Sequence, residues 1–282
     1  MLNGIVTMID YQLLEAGFCT HCERMTLKKG ALKQQEYPAL CALIKHPHKG
    51  YILFDTGYSQ RFYKETRSFP SSLYRYLTPV YLQKTLKEQL LEQNIHPEEI
   101  SYVVISHFHA DHIGGLDDFP KAQFICHPQA INAIKDKRGF KALLQGFLPG
   151  LLPKDFYERL LLLNKQECSL AKNMAPFTTG FDLFDDASLY AISLPGHAPG
   201  QIGLYFQADK ATFLVADSCW HQETFQKLHY PSQLTYLIHD DKKAYLETIN
   251  KLHQLYLNNP QIDIIPSHCQ HIRQRIKETQ SC

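Results

Sequence analysis

No stretch of this 282-residue chain approaches the roughly 18 consecutive apolar residues of a membrane-spanning helix, so no membrane association is expected. Neither sign of charge dominates. Lys and Arg number 29 against 28 Asp and Glu, a net charge of +1. With no basic cluster, nothing in the charge points to nucleic acid or an acidic membrane surface. Low-complexity segments and internal repeats are also absent. Cysteine occurs eight times, too dispersed for a disulfide scaffold. The opening segment "MLNGIVTMIDYQLLEAGF" has neither a basic leader nor an extended apolar run. The thiols are therefore expected to be reduced and the protein cytoplasmic. Tryptophan occurs once, at Trp220.

What remains is a globular composition, 44% hydrophobic and 20% charged, expected to form one domain over residues 1–282. "ALCALIK" (39–45) and "YILFD" (51–55), joined by "HPHKG", predict a hairpin. Residues 81–93 have apolar positions at helical spacing, and "SYVVIS" (101–106) reads as a buried strand. Further strands are expected at 122–127, 189–194, 201–206, 211–217 and 262–268, with an amphipathic helix at 241–257. Residues 128–178, with "GFLPGLLP" in their middle, read as a mostly helical insertion. Strand hairpins mixed with strand–loop–helix units predict helices packed on sheet layers, an α/β sandwich.

Directly after the strand at 101–106 comes "HFHADHIGG", which puts His107, His109, Asp111 and His112 within six positions. Imidazole and carboxylate are the ligands that hold zinc and similar divalent ions through nitrogen and oxygen. His107 and His109, two apart on an extended loop, project to one side and can grip one ion. Asp111 and His112 follow where the chain turns and can face a second. Gly114 and Gly115 allow backbone to pass close by. A histidine-rich surface loop is the bland alternative, but further candidate ligands close other apolar strands. His197 stands in "LPGHAPG", Asp217 ends "FLVAD" and His268 ends "IIPSH".

The order HxHxDH, GH, Asp, His, together with the upstream loop "ILFDTG" (Asp55, Thr56, Gly57), resembles the metallo-β-lactamase superfamily from about residue 37 to about residue 270. The resemblance implies an αββα sandwich with two metal ions at one edge of its sheets. It implies His107, His109 and His197 on the first ion, Asp111, His112 and His268 on the second, and Asp217 bridging both. Asp111 and Asp217 are then the catalytic carboxylates. The ions are expected to be zinc, and the same ligands accommodate iron, manganese or cobalt. A hydroxide shared by two such ions is a nucleophile at neutral pH. Asp55 is expected behind the ligands, accepting from a histidine N–H, with a turn cap as the alternative.

Within that superfamily, Asp217 stands where many β-lactamases carry cysteine or serine. His109, two places before Asp111, differs from the glutamate of flavo-diiron oxygen reductases. "ALIKHPHKGYILFDTG", "VVISHFHADHIGGL" and "LEAGFC" look most like the N-acyl homoserine lactonase branch. That branch often has tyrosine where Trp220 stands. Trp220 is therefore expected to act by packing on a small-molecule substrate. "GFLPGLLP", with Phe147 and Leu148, reads either as core of the insertion or as the wall of an acyl pocket, and as a wall the insertion would act as a lid. The expected activity is opening of a lactone or cleavage of a similar ester. Phosphodiesterase and thioesterase chemistry are the alternatives within the fold, and a non-catalytic sensor is the alternative outside enzymology. "CTHC" (19–22) has no second cysteine pair, so a structural zinc is not expected there.

Overall fold

In this computed structural model, which describes residues 8–280, the first half of the chain builds one sheet and the second half another. The first sheet contains β1 (Asp10–Cys22), β2 (Gln34–His46), β3 (Gly50–Phe54), β4 (Val80–Tyr81), β5 (Ile100–Val104), β6 (Gln123–Cys126) and β7 (Leu160–Leu162). Its spatial order is β4-β1-β2-β3-β5-β6-β7. The second contains β8 (Cys168–Ser169), β9 (Thr179–Asp182), β10 (Leu189–Ser193), β11 (Ile202–Gln207), β12 (Ala211–Ala216) and β13 (Asp263–Pro266). These run in the order β13-β12-β11-β10-β9-β8.

Side-chain alternation divides the core into three slabs. Leu40, Ala42 and Ile44 of β2 point inward to meet Leu189, Leu204 and Phe206 of the other sheet. Cys41 and Leu43, one register away, face outward onto a slab with Leu86, Leu90, Phe62 and Phe147. The outer face of the second sheet, through Phe213 and Val215, packs on Leu252 and Leu255 of helix Lys242–Asn258. Period-2 strands with both faces apolar require cover on both sides, and the result is helix, sheet, sheet, helix.

The 39–45/51–55 hairpin forms with Ala42 opposite Phe54 and His46 opposite Gly50. Three expectations differ in extent. Only Leu86–Glu92 of 81–93 is helical, because Thr85 caps it reciprocally with Glu88 while Val80 and Tyr81 pair with β1. The 13-residue β1 has no counterpart among the expected strands, although it pairs along most of β2. The insertion begins as helices Pro128–Ile134 and Gly139–Leu143 but is not mostly helical. Helix Gly139–Leu143 ends ahead of Gly146, whose φ is +62°, and Leu160–Leu162 then pairs with β6 as an edge strand. Edge pairing outweighs the helix preference of leucine there.

Five strand ends converge at one edge of the sandwich, those of β3, β5, β10, β12 and β13. Parallel pairing of β3 with β5 and of β12 with β13 aligns their C-terminal ends. Two backbone bonds stitch the sheets together there, Ile202 N–H to Ser106 O (3.1 Å) and Leu40 N–H to Ser267 O (3.1 Å). Gly114 lies so close to the loop after β3 that a Cβ on it would stand 2.5 Å from the Gly57 carbonyl oxygen. Gly114→Ala is therefore expected to cost about 1–3 kcal/mol in urea unfolding. A cost under about 0.5 kcal/mol would mean that the loop yields freely.

Candidate metal centre

The loop after β5 leaves the sheet at Ile105 and turns into the short helix Ala110–Ile113. The loop after β3 holds it from beneath. Thr56 N–H and its hydroxyl both donate to the His112 carbonyl, at 2.9 and 3.0 Å, and Gly115 N–H donates to Thr56 Oγ1 at 3.1 Å. This cradle brings His107, His109, Asp111 and His112 to the edge where β10, β12 and β13 deliver His197, Asp217 and His268. Gly196 (φ +125°) precedes His197 with the Tyr245 backbone against it, leaving no space for a side chain.

Two groups of potential ligand atoms result. His107, His109, His197 and Asp217 form one, and Asp111, His112, Asp217 and His268 the other. Within each group the atoms lie within 4.8 Å of one another, and Asp217 belongs to both. Asp217 Oδ1 faces His112 Nε2 at 3.2 Å, while its Oδ2 faces His197 Nε2 at 3.3 Å and His268 Nε2 at 3.1 Å. All seven residues are buried except His109, which is half-buried.

Three rings are held by their Nδ1 atoms, leaving Nε2 directed inward. His112 Nδ1–H donates to Asp55 Oδ2 (2.7 Å), His268 Nδ1–H to the Pro38 carbonyl (2.6 Å) and His107 Nδ1–H to Ser106 Oγ (3.0 Å). Ser106 in turn donates to Asp55 from both its N–H (2.8 Å) and its hydroxyl (2.7 Å). Asp55 thus accepts three bonds while buried in a left-handed backbone conformation (φ 62°). Neither Pro38 nor Ser106 was anticipated. Ser106 could have been suspected from its place directly before the motif, whereas nothing in the sequence marks Pro38.

Charge tests whether these residues fit cations. Burial pushes the His107 and His197 rings well down, so both are neutral. Burial also opposes charge on His112, but Asp55, Asp111 and Asp217 outweigh it and hold the ring well above the usual imidazole range. His268, likewise buried, is carried up to about 10 by Asp217 and Asp111. Burial raises the Asp111 carboxyl, yet His112 and His268 bring it down to about 2. Asp217, under the same opposing influences from burial, His268 and His112, stays well below the usual carboxylate range. Protons on His112 and His268 thus stand where the carboxylates demand positive charge. His107 Nε2, His112 Nε2 and Asp217 Oδ1 are nevertheless buried with no hydrogen-bond partner. Orphaned inward donors around two carboxylates fit divalent cations.

The other expected site residues are placed differently from one another. Trp220 stands over His268 with ring centroids 4.5 Å apart, and its indole N–H also donates to Asp217 Oδ2 at 3.0 Å. Its role thus includes a hydrogen bond that packing alone did not foresee. Phe147 and Leu148 do not face an open pocket. They are 1% and 2% exposed, inside the slab beneath the first sheet, where Phe147 meets Phe108. The insertion instead presents Leu144 and Gln145 to a cavity of about 210 Å³ beside His109 and His197. Leu237, Ile238 and His239 also line that cavity. His221 turns away from the centre to Thr26 Oγ1 (2.9 Å). No metal-holding group forms at Cys19 and Cys22 among the described residues, and the described cysteines are free.

Zinc added to metal-free protein at about pH 8 is expected to release about two protons per chain, from His112 and His268. The sign follows from their raised values, since rings protonated at pH 8 must lose Nε2–H to bind an ion. The His268 share of this release should decline above about pH 10. Uptake of zinc without proton release, compared across buffers by calorimetry, would remove His112 and His268 from the ligand set.

Residues 35–167 match the metallo-beta-lactamase superfamily. The N-acyl homoserine lactonase AttM of Azorhizobium caulinodans is 26% identical over 194 residues, 67% of each chain. AttM of Rhizobium radiobacter is 25% identical over 238 residues, covering 81% of this chain and 83% of the relative. The solved structure of an N-acyl homoserine lactone hydrolase, with N-hexanoyl-L-homoserine bound at its catalytic metal centre, superposes with a TM-score of 0.68. That likeness is 17% in sequence and covers 96% of this chain and 97% of the other. No helix among the described residues is long and apolar enough to cross a membrane. Sequence match, αββα layering and ligand geometry agree: residues 35–167 match the metallo-beta-lactamase superfamily, the chain has the metallo-beta-lactamase fold, and it is similar in sequence to N-acyl homoserine lactonases.

Proposed function

We propose that this protein is a dinuclear metal-dependent hydrolase that opens the lactone ring of an N-acyl homoserine lactone or a close ester analogue. The observation that carries the reading is a pair of buried ligand groups sharing Asp217, next to a cavity that Leu144, Leu237 and Ile238 help to line. The lactonase relatives supply the substrate class. Two ions, zinc by the His/carboxylate set and iron, manganese or cobalt by the same ligands, would supply Lewis acidity and a water of lowered pKa.

His107, His109 and His197 would hold one ion, Asp111, His112 and His268 the other, with Asp217 between them. Asp55, the Pro38 carbonyl and Ser106 keep the rings of His112, His268 and His107 turned with Nε2 inward. This fixes the tautomer that metal binding needs. Trp220 N–H orients the shared carboxylate through Oδ2. Its indole face, on the His268 side of the centre, gives a lactone ring an apolar surface to rest on. Leu144, Leu237 and Ile238, on the His109 and His197 side, suit an acyl chain. A protein acting this way would remove acyl-lactone signals, and its partner is a small molecule rather than nucleic acid or membrane.

The test is a kinetic panel on metal-replete protein. N-Acyl homoserine lactones should be hydrolysed with kcat/KM at least about 100-fold above matched phosphodiesters and thioesters, in the range of ordinary enzymes. Faster turnover of a phosphodiester or thioester would move the chemistry to one of the other hydrolases of this fold. No turnover of any ester class by protein carrying its ions would leave a binding or sensing role.

A further inference from the structure

His239 is a polar group at the cavity that the proposed mechanism does not use. It follows the 3-10 helix Gln233–Ile238, and two backbone bonds lash its neighbours to the His197 turn. These are Asp240 N–H to His197 O (3.1 Å) and Asp241 N–H to Gly196 O (3.0 Å). Asp241 then caps helix Lys242–Asn258 through Lys243 and Ala244 N–H. The ring is clamped by Tyr245 at 4.2 Å and Tyr236 at 5.6 Å and lies 5.1 Å from the His197 ring. Its position beside the candidate ligands is therefore set by packing on several sides.

The two ring nitrogens of His239 differ. Nδ1 is buried and has no hydrogen-bond partner. A neutral imidazole carries one N–H, and placing it on a sealed, partnerless nitrogen would add an unsatisfied donor to the interior. The tautomer with the proton on Nε2 avoids that cost and turns the ring into a donor for whatever enters the cavity. The lining around it is mixed: Leu144 from the insertion and Leu237 and Ile238 directly before His239 are apolar and exposed, while Gln145 and Asp240 add polar groups. A ring N–H next to Leu237 and Ile238, at a cavity that Leu144 also lines, suits a ligand that carries a hydrogen-bond acceptor on an apolar chain.

We propose that His239 is a substrate-binding residue whose Nε2–H accepts no proton but donates to the amide carbonyl oxygen of an acyl chain lying between Leu144 and Leu237. This rests on the lactonase reading for the identity of the ring, while the subsite itself requires only a carbonyl on an apolar chain. It places the acyl amide on the His109 and His197 side of the centre and the ring toward Trp220.

Trp220 is the only tryptophan in the chain, so its fluorescence can follow ligand binding to the metal-loaded protein without turnover. Two probes are titrated, N-hexanoyl-L-homoserine and N-butylhexanamide, the second having no homoserine part. His239→Ala should weaken both by about tenfold, the loss of one buried hydrogen bond, with metal content unchanged. His239→Gln, which keeps an N–H near the same place, should stay within about threefold of wild type. Equal binding by wild type and His239→Ala, or no binding of either probe by wild type, overturns the subsite. So does loss of metal from His239→Ala, which would make the residue a prop for His197. If lactones are not hydrolysed but N-butylhexanamide still depends on His239, the lactonase reading fails and the subsite stands.

Discussion

Two carboxylates, Asp111 and Asp217, are buried among five imidazoles, and the surrounding structure answers the charge this creates. An unpaired carboxylate taken out of water costs several kcal/mol, so the site must contain positive charge. In the protein alone that charge is a proton on His112 and another on His268. Such protons occupy ring nitrogens aimed at the same small volume, the arrangement in which a divalent ion replaces a proton. The neutral rings of His107 and His197 add lone pairs without adding charge.

The fold serves this cluster by bringing chain ends together. Each sheet alone delivers only part of the ligand set: the loop after β5 brings four residues, and the second sheet brings His197, Asp217 and His268. Face-to-face packing with strand ends aligned is what completes it. The support behind the ligands also crosses between segments distant in sequence. Asp55 follows β3 and holds His112 of the next strand's loop, while Pro38 in β2 holds His268 beyond the last strand. A change in sheet packing would therefore be felt first as a change in ligand orientation.

The ligand residues were legible because their chemistry is rare in such spacing. An imidazole or carboxylate that closes an apolar strand announces itself, as His197, Asp217 and His268 do. The hairpin at Ala42 and Phe54 was legible because both its runs are short, apolar and joined by a turn. Phe147 and Leu148 show where this stops. An apolar side chain that lines a pocket and one that fills a core have the same composition, and only packing against Phe108 distinguishes them. Strand β1 was hidden because Glu15 and Gly17 interrupt its apolar pattern, and its strand state comes from pairing with β2. The Trp220 bond to Asp217 depends on a turn that returns the indole three residues back, which no spacing rule reveals. His239 belongs to a segment with no motif, and its place at the cavity comes from backbone bonds to the His197 turn.

The central claim is that the buried carboxylates and imidazoles hold two ions through one shared residue. Elemental analysis of protein purified without chelator tests it most directly, run beside Asp217→Ala prepared the same way. The account predicts about two equivalents of divalent metal for the unaltered chain and about one or fewer once the shared carboxylate is removed. A chain that carries at most one equivalent, with the same content after Asp217→Ala, would contradict it.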